Sequence, residues 1–362
     1  MFDTPFPFVR PIDSATFKQF ADDFVVTEQI DFIDKLSQTG EHLWLYVKKT
    51  GVNTSHLITL IAKWAKVTIR DVGYSGLKDR HATTFQWFSV RLPKHAPPLQ
   101  TFDTSINAQL SSGEHIELIR HAWHNKKLHR GTHKTNHFAI VLRHLCYNHQ
   151  SDVEAYLACL ATLGVPNYVG EQRFGQAYTN LKKASALLET ASKKRTLSNR
   201  EALLVSSVRS HLFNLILAKR VLDNTWDQAI EGDVFNLNGT GSLFTADIDD
   251  TIIHRIATGD IHPTAPLFGI ISDKDKVSTH KAHAIEQSIL AHPDFTTFTQ
   301  GLRTLAILQS RRALRLLPTN FTWHWLDANT LTLTFTLPRG SFATTILSAL
   351  CLKLIDASQA SC

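Results

Sequence analysis

The chain has 362 residues, 43% of them hydrophobic and 19% charged, with a formal net charge of +6 and 19 histidines besides. That length exceeds what one hydrophobic core usually organises, so two domains are expected, and the modest charge content excludes a disordered basic tail. The positive balance favours an anionic partner, nucleic acid first, while four cysteines without a Cys-x-x-Cys pair exclude a disulfide scaffold and point to a reduced cytoplasm.

The N-terminal "MFDTPFPFVRPID" places Asp3 and prolines where a signal peptide needs a basic start and an apolar run. Nowhere do 18 apolar residues run together, so a soluble chain without a membrane span is expected. The first 150 residues then read mainly as strands. In "EHLWLYV" (41–47), Leu43, Leu45 and Val47 alternate with His42, Trp44 and Tyr46, the period of a strand with two unlike faces. "NTSHLITLIAKWAK" (53–66) follows, with Asn53, Thr54 or Ser55 as a cap and Leu57, Ile58, Ile61 and Trp64 on one helical face. "FQWFSVRL" (85–92) and "FAIVLR" (138–143) read as further strands.

From about residue 151 the spacing turns helical, through Val153, Tyr156, Leu157, Leu160 and Leu163, then Leu204, Val208, Leu212, Leu215 and Ile216. A basic triplet at 193–195 lies between these runs, and "LNGTGS" (237–242) and "IHPTAPLFG" (261–269) read as turn clusters. After about residue 305 strands resume. "LTLTFTLPRG" (331–340) sets Leu331, Leu333, Phe335 and Leu337 against Thr332, Thr334 and Thr336. The order predicts an α+β protein: a strand-rich domain, 1–150 and 305–362, interrupted by a largely helical insert, 151–304.

Nucleotide and metal signatures are absent: there is no G-x-x-x-x-G-K-[ST], and no cysteine or carboxylate completes a zinc spacing with His121, His124, His129 and His133. Between 120 and 138, Arg120, Lys126, Lys127, Arg130 and Lys134 interleave with histidines and end in Asn136 and Phe138. Such a run is either a solvated face or a nucleic-acid contact closed by a ring that can stack on a base. In "GYSGLKDRHATTFQW" (73–87), Asp79 stands between Lys78 and Arg80. It is a turn residue, a salt-bridge partner, or a nucleophile whose ionised form the two cations favour.

"GYSGLKDRHATTFQWFSV" closely resembles the active-site motif of the TruD family of tRNA pseudouridine synthases, and "GVPNYVGEQRFG" (164–175) resembles that family's second signature. The resemblance extends through "GEHLWLYVKKTGVNT", "VRSHLFNLILAKRV", "GDIHPTAPLFG" and "LPRGSFATT", in the family's order. It implies a pseudouridine synthase catalytic domain, an antiparallel or mixed sheet with helices, interrupted by a TruD-specific insert. It implies isomerisation of uridine, at position 13 of the tRNA D arm in bacterial members. By the matched motifs, Asp79 is the catalytic aspartate, with Lys18, Phe24, Asn136, Phe138 and Phe342 around the substrate. Lys78, Arg80, Lys126, Lys127, Arg130 and Lys134 are then the RNA-binding cations. The expected partner is tRNA, bound by a monomer, with no cofactor and no metal.

Departures from the family pattern are Ser75 for an alanine, Val169 for an aromatic, and "LSA" (347–349) for an Arg-Glu pair. A non-catalytic RNA-binding protein of the same fold is the alternative; it should lack the aspartate or its aromatic frame. An aspartate-dependent hydrolase would want a second carboxylate or a metal, and the nearest acids, Asp71 and Asp103, fit neither motif.

Overall fold

The computed structural model describes residues 4–30, 39–92, 97–192 and 196–359. The chain divides into two compact units, one of Pro11–Leu157, Pro318–Gly340 and Cys351–Cys362, the other of Met1–Arg10, Ala158–Leu317 and Ser341–Leu350. Asp79 belongs to the first.

That unit is built on a mixed sheet of ten strands: β1 (Ile12–Phe17), β2 (Phe24–Gln29), β3 (His42–Thr50), β4 (Val72–Tyr74), β5 (Thr83–Arg91), β6 (His115–His124), β7 (Thr135–Tyr147), β8 (Thr319–Asp327), β9 (Thr330–Pro338) and β10 (Cys351–Asp356). The order across it is β8-β9-β7-β2-β5-β3-β6, with β1 against β7 and β10, and β4 against β5. Pairs β2–β5 and β1–β10 are parallel, the rest antiparallel. The alternation in "LTLTFTLP" is the cause of β9: Leu331, Leu333, Phe335 and Leu337 are each fully buried. Leu43, Leu45 and Val47 point to the same side of β3, where helix Thr54–Ala65 supplies Leu57, Ile58 and Ile61 to one core. That helix starts at Asn53 without a side-chain cap and stops where Lys66 turns left-handed (φ +53°).

In the second unit the helical spacing is realised as helices Thr179–Glu189, Asn199–Leu222, Asp250–Ala257, His280–Leu290 and Thr296–Thr304. Asn199–Leu222 opens on a reciprocal cap between Ser198 and Glu201 and buries Leu204, Val208, Leu212 and Ile216. These helices accompany a four-stranded sheet, and there one expectation fails. Ile261–Leu267, read as a turn cluster for its prolines, is a buried strand. Ile261–Pro263 pairs with Val234–Leu237, and Thr264–Leu267 with Ser310–Ala313. Changing partner midway leaves each proline a side on which no ladder bond needs its missing N–H.

Candidate active site

Strand register decides which side chains meet. Val26 is level with Phe138 and with Thr84, Phe335 with Phe138, Glu28 with Asn136, and Lys49 with Thr84. Residues two apart share a face, so Phe24, Val26, Glu28, Lys49, Gln86, Asn136, Phe138 and Phe335 all lie on one side of the sheet. The connector 75–82, between β4 and β5, crosses that side without regular structure of its own.

Groups from the sheet, from the first turn of helix Thr54–Ala65 and from the segment after β6 hold this connector residue by residue. The Gly76 carbonyl accepts from Gln86 Nε2 at 3.3 Å, and the Lys78 amide donates to Thr54 Oγ1 at 3.1 Å. Lys49 Nζ, fully buried, donates to the Asp79 carbonyl at 2.8 Å. Gly131 N donates to the Ser75 carbonyl at 2.8 Å, which ties in the basic segment between β6 and β7. Glycine lets these pieces approach closely, and here only Gly73 has no room at all for a side chain. A Cβ on Gly73 would stand 2.3 Å from the Leu128 carbonyl oxygen, and one on Gly76 3.0 Å from the His133 ring.

The Asp79 side chain is 59% exposed, and its Oδ2 accepts from Lys18 Nζ at 2.9 Å. Lys18 follows β1 in a left-handed conformation (φ +58°), which costs a non-glycine residue about 1 to 2 kcal/mol. Its ammonium sits 4.5 Å over the ring of Phe24. Phe24 meets Phe138 edge-on at 6.2 Å, and Phe138 stacks on Phe335 at 5.4 Å. Phe138 is 6% exposed, so most of its ring is already in contact with protein. Asn136 is also buried, and its Oδ1 has no hydrogen-bond partner among the described residues.

Beneath the connector lies a polar hub centred on Glu28, whose side chain is inaccessible. Lys78 Nζ pairs with Glu28 Oε1 at 2.9 Å, and the Trp87 amide donates to Oε2 at 3.3 Å. Burial pushes the Glu28 carboxyl up from its ordinary value, against the pull of Lys78. His133 Nδ1 lies 3.5 Å from the same carboxylate and shares a 2.5 Å hydrogen bond with Ser75 Oγ. Its own desolvation lowers its pKa to about 4.

Of the cations flanking Asp79, neither meets its carboxylate. Lys78, expected on the RNA surface, turns inward to Glu28, and Arg80 reaches the Gly51 carbonyl and Glu114. Lys126, Arg130 and Lys134 are exposed. Arg130 lies over the Tyr74 ring, and Lys127 donates to the Arg70 carbonyl. The triplet at 193–195 lies outside the described residues. The four histidines disperse: His133 joins the hub, His124 meets Trp44 edge-on, and His121 and His129 face solvent.

The family model for tRNA pseudouridine synthase D (TruD) matches residues 12–191 and 179–350. The chain belongs to the TruD family. It is 40% identical to a tRNA pseudouridine synthase D of Psychrobacter arcticus, over 98% of this chain and 94% of that one. It is 39% identical to one of Hydrogenovibrio crunogenus, over 95% of each chain. The fold is similar to the crystal structure of a protein described as a TruD from Methanosarcina mazei, with a TM-score of 0.70 and 19% identity over 98% of this chain and 97% of that one.

Of the residues matched to TruD motifs, Asp79, Lys18, Phe24, Asn136 and Phe138 belong to one unit, and contacts link the first three and Phe138 in a row. Phe342 belongs to the other unit, 38% exposed, with the Arg173 guanidinium 6.0 Å from its ring. Sequence reasoning missed Glu28 and Lys49 altogether. Both were detectable as charges at inward positions of otherwise apolar rows, Phe24-Val26-Glu28 and Leu43-Leu45-Val47-Lys49.

Proposed function

We propose that this chain isomerises uridine to pseudouridine in tRNA, at position 13 of the D arm, with Asp79 as the catalytic residue. The observation that carries the reading is the Lys18–Asp79 pair: an accessible carboxylate at 2.9 Å from a nearly buried ammonium that itself rests on Phe24. A hydrolase would pair its carboxylate with a second acid or a metal, whereas this carboxylate is paired with a cation that itself rests on an aromatic ring.

The target uracil leaves its stack, which costs a few kcal/mol, and apolar walls offset that loss. Phe24 and Phe138 supply such a wall, and the unpartnered Asn136 Oδ1 suits an imide N–H of the base. Asp79 then adds to C6 of the uracil, or acts on the ribose to release the base as a glycal. On either route the N1–C1′ bond breaks, the base rotates and a C5–C1′ bond forms. N1 gains a proton as C5 loses one, so the change is redox-neutral and calls for no cofactor.

The unit holding Asp79 acts as the catalytic domain and the helix-rich unit as the TruD insert, read from sequence as 151–304. Lys126, Arg130 and Lys134 bind tRNA phosphates, and the enzyme works as a cytoplasmic monomer. Among the described residues no helix is long and apolar enough to cross a membrane. The test is Asp79→Asn on a tRNA transcript, with pseudouridine mapped by position. The variant should bind tRNA within a few-fold of the parent and form no pseudouridine; turnover by it would remove Asp79 from the chemistry, and product at another uridine would reassign the target.

A further inference from the structure

Lys49 occupies the last inward position of a row on β3 whose other members, Leu43, Leu45 and Val47, are apolar and fully buried, and Lys49 is as buried as they are. The only hydrogen bond of its side chain among the described residues goes to the Asp79 carbonyl, at 2.8 Å. The nearby carboxylates are engaged elsewhere, Asp79 by Lys18 and Glu28 by Lys78. An ammonium removed from water without an ion pair of its own is costly, and a methionine would fill the same volume without that cost.

The site explains why the charge is kept. The connector carrying Asp79 has no ladder bonds, so its path is set by side-chain tethers, and Lys49 is the tether on the main chain of Asp79 itself. We propose that Lys49 is a positioning residue: it grips the Asp79 carbonyl and so fixes the main chain from which the carboxylate projects toward the base. The role rests on the isomerase reading. It differs from that of Lys18, which meets the carboxylate directly. Desolvation lowers the Lys49 pKa to about 8, opposed by Asp79 and reinforced by Lys78, so the tether is still charged at neutral pH. A carbonyl held by a charged donor is held more tightly than by a neutral one.

Lys49→Met on the full chain tests this, with single-turnover pseudouridine formation on saturating tRNA, tRNA affinity and thermal melting measured side by side. The rate on bound tRNA should fall 10- to 100-fold, affinity should stay within two-fold, and melting should be unchanged or higher because a buried charge has gone. If Met is not accommodated, Lys49→Gln, one bond too short to reach the carbonyl, is read by the same criteria. A folded variant turning over at the parental rate overturns the proposal, and so does failure of both variants to fold. An inactive parent protein would instead refute the isomerase reading, and the ratio of variant to parent carries the positioning role alone.

Discussion

Lys18 Nζ and Asp79 Oδ2 stand 2.9 Å apart, yet the lysine side chain is 7% exposed and the aspartate 59%. Water therefore dilutes the attraction in the free enzyme, and a base that covers Asp79 strengthens it by removing that water. Lys18 thus keeps the covered carboxylate ionised, the form that attacks, where desolvation alone would favour its neutral acid. Lys18→Met should lower the single-turnover rate about 10- to 150-fold, the range of a charged hydrogen bond at about 1.5 to 3 kcal/mol, with little change in tRNA affinity. A variant with parental turnover would leave Lys18 as a local structural cation.

Phe138 sits between Phe24 and Phe335 with only its margin open. Phe138→Leu keeps most of the apolar volume and removes the ring, so melting should change by a few degrees at most. If the flipped uracil rests on this ring, the rate on bound tRNA falls roughly 5- to 150-fold, the worth of one base–aromatic contact. An unchanged rate would make Phe138 a core residue of β7 and nothing more.

The segment between β6 and β7 displays Lys126 and Arg130 to solvent, with Lys127 half-covered. Replacing all three by Ala should weaken tRNA binding and flatten the plot of log affinity against log salt by about 0.7 to 0.9 for each phosphate that is no longer neutralised. An unaltered slope would mean that these cations are merely hydrated.

Two buried histidines make the fold acid-sensitive. Desolvation lowers the pKa of His133 and of His262 to about 4, below the ordinary 6.5. Between those values the unfolded chain binds protons that the folded chain does not. Stability is therefore complete above pH 6.5 and is lost as pH falls toward 4, by roughly 2 kcal/mol per histidine at pH 5. Unfolding measured at pH 7.5 and pH 5 should show a loss of stability, and His262→Gln should reduce that loss by roughly 2 kcal/mol. A variant that keeps the whole pH dependence would show that His262 titrates normally.

What could be read in advance depended on how local the signal was. The strands at 83–91, 135–147 and 330–338 and the helix at 54–65 follow from alternation and helical spacing over a few residues. Asp79 was visible through its motif. Its supports were not, because whether Glu28, Lys49 or Lys78 faces inward depends on pairings among strands far apart in the chain. Lys78 is the clearest case. Beside Asp79 in sequence it reads as a cation for RNA or for the carboxylate, yet the connector's path turns it under the loop to Glu28. The strand Ile261–Leu267 was hidden for the opposite reason, since local proline chemistry spoke against a pairing that tertiary structure makes harmless.

The sheet order carries a consequence for synthesis. β7, the strand bearing Asn136 and Phe138, lies between β2 and β9, and it is complete at residue 147 whereas β9 begins at residue 330. On the ribosome, one edge of β7 therefore waits for its partner while Ala158–Leu317 of the helix-rich unit is made, on the order of 10 to 40 seconds at typical synthesis rates. An unpaired strand carrying Phe138, Ile140 and Leu142 is a template for wrong pairing. The nascent chain must shelter that edge, by a chaperone or by transient collapse, before the floor of the site can close.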